Sequence, residues 1–299
     1  MGLARLLPTL ALSQTLCREI TRGTVRFPQE AQVPNGVQSY SVSAKYYDQA
    51  YAGKQDLEDV PFYLELAKRI GGPVLELACG TGRVLLPIAR AGIAIHGVDN
   101  SSPMLNMLGK NLKREAKDVR ELVSVVRGDI RTFRSNRKYP LVIIPFRPLQ
   151  HMFMVEDQIA ALETAAFHLD DDGLFAFDLF YPKHDLIFAG IGEEILEMEW
   201  IDPSDSTKLV RRFFRKESVD KINQNFTAIF IFRTWQNGKL IQEETEPLKM
   251  SYYTYPHLRA LFLLTGLEIV EEYGSFARTP LDNSAEQMIF VLKKCFTGD

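Results

Sequence analysis

The chain has 299 residues, 46% apolar and 24% charged, enough to bury a full core as one large domain or two modest ones without a disulfide or metal staple. Lysine and arginine number 35 against 38 acidic residues, a net charge of −3, which disfavours a general electrostatic footprint for nucleic acid. No apolar run approaches the roughly 18–20 residues of a membrane span, and the composition excludes collagen and disorder.

The first forty residues carry Arg5, Arg18, Arg22 and Arg26, no lysine, and only Glu19 and Glu30, so the segment is +2 and the remainder −5. Its apolar stretch is broken by Pro8 and Thr9, unlike the clean core of a signal peptide. A flexible or loosely docked arm is expected over residues 1–45, with an organellar presequence as the alternative. Cys17, Cys79 and Cys295 lie far apart with no C-x-x-C spacing, so neither a disulfide framework nor a metal site is expected. A reducing, cytoplasmic location fits that pattern.

Further along, Tyr63, Leu66, Ala67 and Ile70 recur at i, i+3, i+4, i+7 and predict a helix that Gly71-Gly72-Pro73 stops. Short apolar runs follow at 74–78, 93–98, 123–126, 141–144 and 174–177, with helical stretches between them. That alternation predicts a parallel sheet buried on both faces. Ser102-Pro103 reads as a cap with proline at the first helical position. Ile159, Leu162 and Ala166 give the buried stripe of the helix before a turn at Asp170-Asp171-Asp172-Gly173.

Over 193–252 the rhythm becomes extended: Phe226, Ala228, Phe230 and Phe232 share one face, and Thr227, Ile229 and Ile231 the other. Asn237-Gly238 is a two-residue hairpin signal, so the segment reads as an inserted antiparallel sheet. A helix opens at Tyr255-Pro256 and stops at Gly266, and two strands, 267–270 and 287–292, finish the chain. The expected class is α/β: a Rossmann-like, seven-stranded, mostly parallel sheet with helices on both faces, all within 46–299.

The segment Glu76-Leu77-Ala78-Cys79-Gly80-Thr81-Gly82-Arg83 runs a buried strand into a glycine turn that opens a helix. Such turns lie at the carboxyl ends of parallel strands, where the backbone approaches ligands closely. Asp99 ends the second strand, where a carboxylate can accept both hydroxyls of a ribose, and Asp129 ends the third, within reach of an adenine amine. Taken singly, each aspartate also reads as a cap or turn former. Together, three successive strand ends carry ligand-compatible residues. A nicotinamide enzyme is disfavoured, because its fingerprint wants a third glycine where Leu85 stands.

The first of these segments resembles motif one of class I S-adenosylmethionine-dependent methyltransferases. Gly97-Val98-Asp99-Asn100-Ser101-Ser102-Pro103-Met104-Leu105 resembles the second motif, Gly128-Asp129-Ile130 the third, and Leu141-Val142-Ile143-Ile144-Pro145-Phe146 the fourth. The resemblance spans about Tyr46 to Lys294, and an insert between the fifth and sixth strands is similar to that of small-molecule N- and O-methyltransferases. It implies S-adenosylmethionine as cofactor. Glu76 would organise the turn and the methionine ammonium, and backbone at Ala78, Cys79, Gly80 and Gly82 would pass along the cofactor. The family more often has glycine where Ala78 stands. Asp99 would hold the ribose, Asn100 and Met104 would flank the adenine, and Asp129 and Ile130 would bind its amine and edge. Pro145 and Phe146 would meet the amino-acid part near the sulfonium, with Tyr47 and Tyr51 folding over it.

A general base is needed only if the acceptor arrives protonated, and the candidates are His151 and Asp178. His168 and His184 are expected in solvent. The insert is the expected acceptor platform, whose Phe213, Phe214, Phe230, Phe232 and Tyr253 either line a pocket or form core. Its run Arg211-Arg212-Phe213-Phe214-Arg215-Lys216 would suit RNA, yet the insert holds 11 acidic and 9 basic residues. The implied partner is a small-molecule acceptor, methylated at N or O by in-line displacement. Neither nucleic acid nor membrane is expected, and a homodimer is compatible. The alternatives are an RNA or protein methyltransferase, and a non-catalytic partner subunit of the same fold.

Overall fold

The computed structural model describes residues 40–52, 58–183 and 187–295 and begins with helix α1 (Ser43–Ala52). Residues 1–39 of the expected arm, and His184, lie outside the described residues. Helix α2 (Asp59–Ile70) buries Phe62, Tyr63, Leu66 and Ala67, largely the face its spacing predicts. The next elements are β1 (Val74–Leu77), α3 (Leu85–Arg90), β2 (Ile95–Asp99), α4 (Ser102–Leu112), α5 (Lys117–Glu121), β3 (Val123–Arg127) and β4 (Tyr139–Ile144). A 3-10 turn at Pro148–His151 leads into α6 (Val155–His168) and β5 (Leu169–Phe180).

The inserted strands β6 (Glu194–Asp202), β7 (Asp205–Asp220), β8 (Asn225–Gln236) and β9 (Lys239–Ser251) pair in sequence order as an antiparallel sheet. Asn237 and Gly238, both at positive φ, make the β8–β9 hairpin. Helix α7 (Tyr255–Leu264), β10 (Leu267–Tyr273) and β11 (Gln287–Lys294) close the main sheet.

That sheet has the order β10-β11-β5-β4-β1-β2-β3, and β11 alone runs antiparallel to its neighbours. Alternate strand residues feed two cores. Leu75, Leu77, Val142, Ile144, Phe175 and Phe177 pack with α6 and α7, whereas Val74, Leu141, Ile143 and Ala176 pack with Tyr63, Leu85 and Leu108. The chain lays β2 and β3 on one side of β1 and then returns to place β4 on the other. Strand order therefore reverses between β1 and β4, and that is where open α/β sheets bind ligands.

Several details depart from expectation. β3 is a sheet edge, so Val125 and Val126 are 37% and 38% exposed rather than buried on both faces. The cap of α4 is Ser101, whose hydroxyl accepts from the Met104 N–H, one residue before the expected Ser102. Leu169 pairs with Tyr139 and Leu174 with Leu141, so Asp170 to Gly173 loop out within one long strand. His168 is fully buried, because its Nδ1 bonds to the Thr164 carbonyl and its Nε2 accepts from the Ser135 N–H.

Candidate active site at the strand-order switch

Beyond β1 the chain turns sharply, with Ala78 at φ +63°, Gly80 at +54° and Gly82 at +88°. A Cβ on Gly82 would collide with Leu108, whereas one on Gly80, which lines a cleft, would meet nothing within 4 Å. The two glycines thus do different work: Gly82 seats the turn on α4, and Gly80 lets a ligand approach the backbone. Tyr47, Glu76, Ala78, Cys79, Pro145 and Phe146 line the same cleft, as do Thr81 and Arg83. The difference made by alanine at position 78 lies in the backbone, since Ala78 holds a left-handed conformation that glycine adopts without strain.

Carboxylates at the strand ends are fixed one by one. Asp99 accepts from the Gly80 N–H at 2.8 Å and the Ser101 N–H at 2.7 Å, tying β2 to the glycine turn. Burial pushes its pKa up, and those N–H groups pull against the shift. Glu76 is only 2% exposed, and its Oε2 is buried without a hydrogen-bond partner among the described residues. Desolvation drives its pKa well above the usual carboxylate range. Asn100 and Met104 continue the row past β2, and Asp129 and Ile130 past β3. Asp129 is held in a fork by Arg131, at 2.9 Å from Nε and 2.6 Å from Nη2. Burial alone would raise its pKa, but the Arg131 guanidinium and N–H bring it below the ordinary value.

The other end of the cleft is aromatic. The ring centroids of Tyr47 and Tyr51 lie 4.7 Å apart, and Tyr51 meets Phe146 edge-on at 5.2 Å. Phe146 takes φ +67°, and its N–H donates to Asp178 Oδ1 at 2.7 Å. Tyr63 donates to the same oxygen, and Asp178 Oδ2 stays buried without a partner. Burial raises the Asp178 pKa to about 6, against the pull of the Arg147 guanidinium. Asp178 therefore lies beneath Phe146 rather than on the cleft wall. His151 bonds through Nδ1 to the Lys249 carbonyl at 3.1 Å and through Nε2 to the Tyr40 hydroxyl at 2.5 Å. Desolvation lowers its pKa to about 4, so the ring is neutral, and a proton on Nδ1 leaves Nε2 as the acceptor.

Helix α1 bridges the glycine turn and the insert. Asp48 accepts from Thr81 Oγ1 and Asn111 Nδ2, each at 2.7 Å. Glu246 of β9 accepts from the Val42 and Ser43 N–H groups at the start of α1, and Tyr46 donates to Glu244 at 2.8 Å. The platform aromatics divide accordingly. Phe214 and Phe230 pack in the insert's core cluster, and Phe232 stacks on Tyr46. Phe213 faces Trp235 and Arg233, while Tyr253 belongs to the main core. In the basic run, Arg211 and Arg215 pair with Glu199 and Glu217, whereas Arg212 and Lys216 are buried.

Four contributors escaped the sequence reading: Tyr40, Asp48, Asp59 and Arg83. Arg83 forks onto Asp59 and lies 4.4 Å over the Phe146 ring. It stands in the quoted glycine segment, which was the available signal. Asp59 is a helix-start acid with no local feature to mark it.

Residues 74–173 match the family described as Methyltransferase domain. The chain is 26% identical over 224 residues to the cypemycin N-terminal methyltransferase of a Streptomyces species, covering 75% of this chain and 84% of that protein. Among solved structures, the CcbJ methyltransferase from Streptomyces caelestis superposes with a TM-score of 0.70 at 24% identity, over 88% of this chain and all of the other. SAM-bound CalS10, an amino pentose methyltransferase from Micromonospora echinaspora, gives 0.63 at 16%, over 90% and 100%. The chain has the fold of these methyltransferases, and its residues 74–173 match a methyltransferase domain.

Proposed function

We propose that this protein transfers a methyl group from S-adenosylmethionine to a nitrogen or oxygen of a small-molecule acceptor. One observation carries the reading: a partnerless, buried Glu76 Oε2 sits on the floor of a cleft whose glycine turn is tied to Asp99. A buried carboxylate oxygen without a donor is costly, and a ligand ammonium would satisfy it. The open space over Gly80 and the row of strand-end carboxylates also fit the cofactor. When bound, S-adenosylmethionine supplies an activated methyl group together with its own leaving group.

The chain's residues then bind, align and exclude water. Glu76 takes the ammonium end, Gly80 backbone and Asp99 the ribose, and Asn100, Met104, Asp129 and Ile130 the adenine. Tyr47, Tyr51 and Phe146 form an apolar collar that holds the acceptor in line with the methyl carbon and keeps water out. Asp178 fixes that collar through the Phe146 N–H. His151 Nε2 accepts from the Tyr40 hydroxyl, so a proton taken by that hydroxyl from a charged acceptor would be matched by the transfer of its own to His151. The relatives' names, which include an N-terminal and an amino pentose methyltransferase, support an N-directed acceptor.

Calorimetric titration of S-adenosylhomocysteine into the full chain tests the reading. Binding is expected for the wild type and should weaken by about tenfold or more in Asp99→Ala. An absence of wild-type binding, or an unchanged affinity in Asp99→Ala, defeats the site assignment.

A further inference from the structure

Two arginines place a buried Nε without a partner near the cleft, Arg83 and Arg147. Arg83 is otherwise engaged by Asp59. Arg147 makes no side-chain hydrogen bond among the described residues; its neighbours are two aromatic rings and the Asp178 carboxylate, whose charged form it favours. Its Cζ lies 5.8 Å from the Phe146 ring centroid and 6.0 Å from that of Phe180. Phe146 walls the cleft and Phe180 packs on the insert's core cluster. The cation thus stands between the methyl end of the cleft and the inserted sheet. Its backbone is held at φ +71°, a left-handed conformation that glycine would adopt more easily, immediately before Pro148 and the 3-10 turn.

Asp178 offsets part of the Arg147 charge, but its Oδ1 is taken by the Phe146 N–H and Tyr63, and the other charged groups nearby are engaged elsewhere. Arg212, 6% exposed on the inward face of β7, lies 4.6 Å over Phe230 and donates to the Tyr51 hydroxyl at 3.3 Å, with Glu197 on its Nε. The acids that β9 turns inward, Glu244 and Glu246, are bound to α1. A guanidinium with Nε and one Nη unengaged offers a planar fork that matches a carboxylate. The Arg147 side chain is half-buried and its Nε is buried without a hydrogen bond, which costs free energy that a ligand anion would recover.

We propose that the methyl acceptor is an amine or alcohol that also carries a carboxylate, and that Arg147 binds this carboxylate side-on. The proposal rests on the methyltransferase reading and names the acceptor class for the same site. Arg147 sets which acceptors enter, and the aromatic collar sets where the reacting atom lies.

The experiment measures S-adenosylhomocysteine release by the full chain with matched acids and amides: glycine and glycinamide, 4-aminobenzoate and 4-aminobenzamide, 4-hydroxybenzoate and 4-hydroxybenzamide. At least one acid should be used with a kcat/KM about tenfold or more above its amide. Arg147→Gln should erase that preference by raising KM for the acid, and Arg147→Lys, which keeps charge without the fork, should keep part of it. S-adenosylhomocysteine affinity should stay within about twofold in both variants, which also shows that they fold.

Equal use of acids and amides, no turnover of any acid, or a preference that survives Arg147→Gln each overturns the proposal. So does loss of S-adenosylhomocysteine binding in both variants, which would assign Arg147 to the cofactor. Failure of the wild type to bind S-adenosylhomocysteine overturns the methyltransferase reading itself, and this proposal with it.

Discussion

At position 78 a methyl group is attached to a backbone held at φ +63°. Alanine disfavours that conformation by roughly 1–2 kcal/mol, and glycine gives part of this back as extra freedom in the unfolded chain. Ala78→Gly is therefore expected to stabilise the protein by about 0.5–1 kcal/mol, read as a higher urea midpoint with an unchanged slope. A lower midpoint would show that the methyl makes a packing contact that matters more than the strain. Asp178 makes a second residue-level prediction. Its carboxyl titrates at about 6 in the fold against an ordinary 3.8, so the folded chain holds this proton more tightly than the unfolded one. The resulting stability is fully present below pH 3.8 and is lost as the pH rises through 6, a change on the order of 3 kcal/mol. Asp178→Asn keeps an oxygen for Phe146 and Tyr63 but does not titrate. Its stability relative to wild type should rise between about pH 4 and about pH 7.5 in paired urea melts, and a constant difference would contradict the assignment.

Helix α1 shows how an element can be legible in its side chains and illegible in its anchors. Tyr47 and Tyr51 could be named from the sequence as aromatics of the proposed cofactor site, because they precede the first framework helix. Their fixing points were not: Asp48 meets Thr81 and Asn111, and Glu246 lies about two hundred residues from Ser43. No local pattern encodes such pairings. Glu246→Ala removes the acceptor for two N–H groups at the helix start, a loss of about 1–2 kcal/mol confined to that element. Hydrogen exchange should accelerate over residues 42–52 while β1 and β4 stay protected. Uniform acceleration would mean that α1 unfolds only with the whole domain.

For the whole molecule, the strand pattern was readable because parallel strands buried on both faces are short apolar runs, and the hairpin because Asn237-Gly238 suits a turn with two positive φ angles. What periodicity missed follows from position in the sheet. β3 is exposed because nothing among the described residues pairs beyond it, and His168 is buried because the Ser135 N–H and Thr164 carbonyl satisfy both ring nitrogens. The proposed cofactor would touch the ends of β1, β2, β3 and β4, so its binding should stabilise the sheet as a unit. At a hundred times its Kd, S-adenosylhomocysteine should add about 2.7 kcal/mol and raise the melting temperature by a few degrees. A shift seen in the wild type and undiminished in Asp99→Ala would place the ligand elsewhere.

Cys79 sits inside the turn that joins these strands, and a Cβ on Gly97 would come within 2.8 Å of its sulfur. Burial pushes the thiol's pKa well up, so it is unreactive while the turn is closed. It is consequently a built-in chemical clock. Its rate of alkylation reports how often the glycine turn opens, without any label being introduced, and a bound cofactor should slow that clock.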